Sequence, residues 1–151
     1  MSTTVLDVLG EPIDPIWAAE FRGFFWGEGH FGAAIIRERY RIHAVVGLRA
    51  DDEPALRDFQ RRLGGSLSWH VAGRYLRLNF ASLGDCQRVA ALLADGADTP
   101  FQKRKQLAPW TEMLAIKAAA GGTTASRYTP EQHARMRGLV NQIRSVRRWD
   151  E

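Results

Sequence analysis

The sequence predicts one α+β domain, with four antiparallel strands and their connecting helices in the order αββαββα and further helices towards the C-terminal end. Three observations predict it. The chain has 151 residues, 45% hydrophobic and 25% charged, the size and balance of a single ordinary domain. Residues 39–49 and 74–80 alternate apolar with polar side chains, the period of strands with one wet face. The intervening stretches carry apolar residues at helical spacing between capping residues and glycines. Helices on one face of an antiparallel sheet leave the other face to something polar.

Each element has its own justification. Residues 1–13 hold Asp7 and Glu11 but no Lys or Arg, and are expected to form a flexible tail, leaving 14–151 as the domain. Asp14-Pro15 starts a helix, because Asp accepts from free backbone N–H groups and Pro has none to lose at the first position. The helix runs from Ile16 to Gly27-Glu28-Gly29 and is apolar nearly all round, so two sides should be buried. Gly23 and Gly27, one turn apart, allow a second helix to approach; with Phe21 and Phe24 they form the expected helix–helix contact.

Two strands follow, 30–37 and 39–49, around a tight turn at Glu38. On the second, Ile42, Ala44, Val46 and Leu48 face the core, and Arg41, His43, Val45, Gly47 and Arg49 face away. Asp52 is expected to cap a helix bearing Leu56, Phe59 and Leu63, stopped by Gly64-Gly65. A second hairpin, 66–71 and 74–80, turns at Ala72-Gly73. Ser82-x-x-Asp85 opens a helix through Val89, Leu92 and Leu93, closed by Gly96. Residues 100–106 lead into a helix with Leu107, Trp110, Met113, Leu114 and Ile116, and 121–126 form a flexible connector. Thr129-Pro130-Glu131-Gln132 is a capping box for the last helix. Its Arg135, Arg137, Arg144, Arg147 and Arg148 are read first as a solvated face and second as phosphate contacts.

Charge narrows the function. The chain carries 21 Lys+Arg against 17 Asp+Glu, a net charge of +4, and only Lys103, Lys105 and Lys117 are not Arg. Codon usage explains an abundance of Arg as well as nucleic-acid binding does. It does not explain location: the two hairpins carry Arg37, Arg39, Arg41, Arg49, Arg74 and Arg77 against one acid, Glu38, a surplus of five that exceeds the whole-chain charge. The single cysteine, Cys86, excludes an intrachain disulfide and a Cys-based zinc finger. No apolar run approaches the roughly 20 residues that cross a bilayer, so no membrane partner and a cytoplasmic location are expected.

The segment Phe21-Arg22-Gly23-Phe24-Phe25-Trp26-Gly27-Glu28-Gly29 resembles the signature of the LAGLIDADG homing endonucleases, of the homodimeric type with one motif per chain. The resemblance extends through both hairpins to the Lys103-Arg104-Lys105 segment. It implies a four-stranded saddle-shaped sheet and a site-specific double-stranded DNase, borne by an intron or intein. It further implies a metal site at Glu28 and Gly27 served by Mg²⁺, with Mn²⁺ as substitute. A lysine near the water network matches Lys105, with Lys103 as the alternative, and a polar residue ending the second strand matches Arg49. Trp26 departs from the motif, where an acid is common.

Hydrolysis of a phosphodiester needs charge neutralisation and an activated water, work that Mg²⁺ on one or two carboxylates performs. One Glu28 per chain is too few, so two copies are expected to meet across the glycine contact on a long, partly palindromic duplex. The polar faces nominate Arg37, Arg39, Arg41, His43, Ser68, His70, Tyr75, Arg77 and Asn79 for DNA contact, since a two-stranded ribbon fits the major groove. In the first strand this register puts Gly32, Ala34 and Ile36 towards DNA, where they would meet thymine methyls; a one-residue shift would reverse that face. His30, His43 and His70 lack metal-ligand spacing and are read as base or phosphate contacts. Residues 90–98 mimic a second motif but precede no strand. The competing reading is a DNA- or RNA-binding maturase or regulator on the same scaffold with little or no cleavage.

Overall fold

The computed structural model describes residues 4–37, 39–95, 102–121 and 127–146. The expected turn at Glu38, the Gly96 stop, Pro100-Phe101, the connector at 122–126, and Arg147 and Arg148 lie outside the described residues.

Helix α1 (Pro15–Glu28) begins as its sequence dictates: Asp14 Oδ1 accepts from the Ile16 N–H at 2.8 Å, and Pro15 takes the first turn. Strands β1 (Gly29–Ile36) and β2 (Arg39–Arg49) come next, then α2 (Glu53–Leu63), β3 (Ser66–His70), β4 (Tyr75–Phe80) and α3 (Leu83–Ala94). Helices α4 (Leu107–Ala119) and α5 (Pro130–Ser145) complete the order αββαββα with its C-terminal additions. Two short 3-10 turns, Ala50–Asp52 and Gln102–Gln106, lead into α2 and α4.

The sheet is antiparallel with strand order β1-β2-β4-β3. Strand β2 is its spine. Its residues 39–46 pair with β1 and its residues 44–49 with β4, so only 44–46 are bonded on both sides. The two hairpin tips therefore lie at opposite ends of the sheet, the β3–β4 tip held to the end of β2 by the Ala50 N–H donating to the Arg74 carbonyl at 2.9 Å. At that tip Val71 and Ala72 (φ 53° each) precede Gly73 (φ 79°), a left-handed run that ends β3 at His70, one residue before the expected Val71.

The alternation places Tyr40, Ile42, Ala44, Val46 and Leu48 of β2 and Leu76, Leu78 and Phe80 of β4 on one buried face. Residues from all five helices join them in one core. Phe31 packs at 4.9 Å from Trp110, whose Nε1 donates to the His43 carbonyl at 3.1 Å, so α4 is pinned across the hairpin. The Thr129 capping box forms with both of its hydrogen bonds, and Ser82 caps α3.

Two expectations are corrected. Asp52 makes no side-chain cap bond, because the preceding 3-10 turn carries the chain directly into α2. Residues 4–13 are not a loose tail. Leu6 bridges Pro12, the Val8 N–H donates to the Arg62 carbonyl, and Asp7, only 7% exposed, forms an ion pair with Arg62 at 2.9 Å. The backbone N–H of Glu11, reinforced by that of Leu9 and by Arg62, holds the Asp7 carboxyl below its ordinary value.

Candidate nucleic-acid interface and active site

The strand registers settle which side chains share the polar face. Pairing aligns Gly32 with His43, Ala34 with Arg41 and Ile36 with Arg39, so the small and apolar residues of β1 lie on the same face as the β2 arginines, as the unshifted register requires. Arg49 pairs with Tyr75 and Gly47 with Arg77, while Asn79 pairs with both Val45 and Ser66. Ser68 and His70 extend the face on β3, joined by a 3.0 Å hydrogen bond between Oγ and Nε2. Of the nine nominated contacts, eight therefore occupy one side of one sheet. Arg37 stands apart, exposed on the hairpin turn with φ 50°.

At one end of this face α1 runs into β1 without a loop. The chain turns within Gly29, where a Cβ would meet the Phe25 ring at 2.6 Å and its carbonyl oxygen at 2.7 Å. Only glycine fits there, and Glu28 is left exposed at the helix foot. Its carboxylate makes no ion pair or hydrogen bond among the described residues. Because Gly29 pairs with Val46, residues 47–49 of β2 continue past the start of β1, which sets Arg49 at the same end of the sheet.

The lysine segment separates the two candidates. Lys103 Nζ donates to the Trp26 carbonyl at 3.1 Å, and burial lowers its pKa while the charge of Glu28 opposes that shift. Lys105 is exposed and makes neither contact. Beside Lys103, the Arg104 guanidinium stands 5.4 Å from the centre of the Trp26 ring, and Gln106 Nε2 donates to the Ile143 carbonyl at 2.8 Å. The segment is thus fastened to α1 on one side and α5 on the other. The Trp26–Arg104 contact was not singled out from the sequence; its signal was an aromatic at the motif's departing position, matched by a cation beside Lys103.

Helix α1 presents its glycines outward. Gly23 and Gly27 are exposed, and a Cβ built on either meets nothing within 4 Å. Phe21 does not belong to that face. It is fully buried, stacked on Trp17 at 6.1 Å and edge-on to Phe59 at 5.2 Å, so its place in the expected helix–helix contact is corrected to the protein's own core. Phe24 is half-buried against Phe59 at 5.5 Å. Among the described residues no three His, Cys, Asp or Glu side chains gather where they could hold a metal ion. No helix among the described residues is long and apolar enough to cross a membrane.

The overall arrangement recurs in solved structures. LAGLIDADG homing endonuclease I-GzeII, in complex with its DNA target, superposes with a TM-score of 0.73 at 16% identity, over 92% of this chain and 47% of that one. The chain has the LAGLIDADG fold. LAGLIDADG meganuclease I-CpaMI bound to uncleaved DNA gives a TM-score of 0.66 at 15% identity, covering 84% of this chain and 43% of that one. I-SmaMI bound to its uncleaved DNA target in the presence of calcium ions gives 0.68 at 18% identity, covering 85% and 44%. The chain therefore spans less than half the length of the LAGLIDADG structures it resembles. By sequence, no family model and no curated protein matches it.

Proposed function

We propose that the protein is a site-specific double-stranded DNA endonuclease of the homing type that works as a homodimer and depends on a divalent metal. The observation that carries this reading is the exposed Glu28 at the foot of the glycine-faced helix, at one end of a polar sheet face bearing arginines. Two further facts support it: the structural neighbours are bound to DNA, and each is about twice as long as this chain, as two copies would be.

The residues present fit a shared cation better than a private one. A lone exposed carboxylate is a weak site, but Mg²⁺ is commonly held by one or two carboxylates together with substrate phosphates and water. Glu28 from two copies, each with the backbone of Gly27 beside it, would hold such an ion, with Mn²⁺ as substitute. Once bound, it would neutralise phosphate charge and make water more acidic. The chain's own groups do the rest. Lys103, in preference to Lys105, orients water at the helix foot; Arg49 faces the phosphate from the end of β2; the sheet face grips the duplex. Water adds to phosphorus as a bridging P–O bond breaks.

The test begins by selecting a preferred site from randomised duplexes, then comparing the wild type with Glu28→Gln on that site in Mg²⁺. Cleavage by the wild type alone supports the reading. Equal cleavage by both removes Glu28 from the chemistry, and binding without cleavage in Mg²⁺ or Mn²⁺ favours the maturase or regulator. Sedimentation that shows only monomer at micromolar concentration would contradict the shared site. Intron or intein mobility is the biological role this activity implies.

A further inference from the structure

The polar sheet face contains one side chain whose position is set by an absence. Gly32 on the edge strand β1 lies directly opposite His43 on β2. A Cβ built on Gly32 would overlap the His43 ring, with Cε1, Nε2 and Nδ1 as its three nearest atoms. The imidazole therefore lies flat across the glycine, filling the space a side chain would occupy. An aromatic ring laid over a cross-strand edge glycine is a known means of fixing register. Here it has a second effect. Its neighbours on this face are Ala34 beside Gly32 and Val45 beside His43, with His30 and Arg41 as the polar ones, so the flat ring lies lower than the long side chains near it. The other polar groups along β2 are the long side chains of Arg39, Arg41 and Arg49.

We infer that Gly32 is a specificity-determining position: by seating the His43 imidazole flat, it fixes which base pair the ring touches and how far the duplex settles onto the β1–β2 ribbon. This rests on the DNA-binding reading above. Any side chain at position 32 forces the ring upright into the groove, where it meets a different base edge. Gly32 itself touches no base. It acts through His43 as a positioning residue.

The experiment applies one pool of duplexes, with about 20 randomised base pairs, two helical turns, to the full chain and to three variants: Gly32→Ala, His43→Ala and the double variant. Binding is selected without cleavage in Ca²⁺. The expected result is a loss of preference of about tenfold, confined to the same base pair of each half-site in both single variants, with the double variant matching His43→Ala alone. Preferences at the arginine-contacted positions stay as in the wild type. An unaltered profile for Gly32→Ala, or effects of the two substitutions that simply add, would overturn the inference while leaving DNA binding intact. A wild type that selects no sequence overturns base reading by this sheet, and the inference with it. If Gly32→Ala alone fails to fold but the double variant folds, the clash lies at the His43 ring as inferred, and a double-variant profile that differs from that of His43→Ala would overturn the inference.

Discussion

The two sides of α1 are built on opposite principles. One side carries Trp17, Phe21 and Phe25, ring against ring with Phe59, Phe80 and Phe31, and leaves no space. The other carries Ile16, 79% exposed, with Gly23 and Gly27, and leaves space all round. The open side also carries the exposed Glu20, and only the first side contributes buried residues to the core of this chain. On the reading proposed above, this open face, which ends at the exposed Glu28, is where a second copy would approach.

The strongest way to break this comparison is on the filled side. Phe21→Ala should destabilise the protein by about 3–5 kcal/mol, read by denaturant unfolding, because the surrounding rings cannot collapse into the hole. A loss below 1 kcal/mol would mean that the aromatic face is not structural. Gly23→Leu on the open side should split two observables. Monomer stability should hold or rise, by up to about 1 kcal/mol of helix propensity, while dimerisation weakens about tenfold or more in sedimentation. A destabilised monomer would show that the side is not open. At the foot, where the two sides meet, Arg104→Leu should cost about 0.5–1 kcal/mol by removing the cation from the Trp26 face, and Arg104→Lys should restore part of it.

The smallest effect lies away from α1 and concerns pH. Because the Glu11 N–H, the Leu9 N–H and Arg62 lower the pKa of Asp7, its contribution to stability is complete above the ordinary carboxyl value of 3.8 and is lost as pH falls through the lowered one. Melting temperature followed from pH 5 to pH 2 should therefore fall less steeply for Asp7→Asn than for the wild type. Equal slopes would detach the N-terminal arm from the folded unit.

Much of the fold was legible because its signals are local. Strand β2 runs over 39–49 as its alternation indicates, and Asp14-Pro15 and the Thr129 box form the bonds their residue types dictate. What failed was non-local. Nothing near Asp7 in sequence announces Arg62, so the arm at 4–13 read as loose. On an all-round apolar helix, periodicity cannot say which side meets the core, and Phe21 was assigned outward; the clue was that Trp17, Phe21 and Phe25 fall on one side and the glycines on another. The exposed place of Glu28 at the helix foot follows from the glycine that ends α1, whereas the contact that distinguishes Lys103 from Lys105 runs to a backbone carbonyl at Trp26 that no side-chain pattern encodes.

The stagger of the sheet about β2 sets a length. At about 3.4 Å per residue, an eleven-residue strand spans about 37 Å, close to the 34–36 Å of one turn of B-DNA. Since β1 and β4 overlap on β2 only at 44–46, the polar face is a long diagonal strip rather than a square patch. On the DNA-binding reading proposed above, a duplex lying along it would be followed for about one helical turn, a length set by the offset of two hairpins on a shared strand.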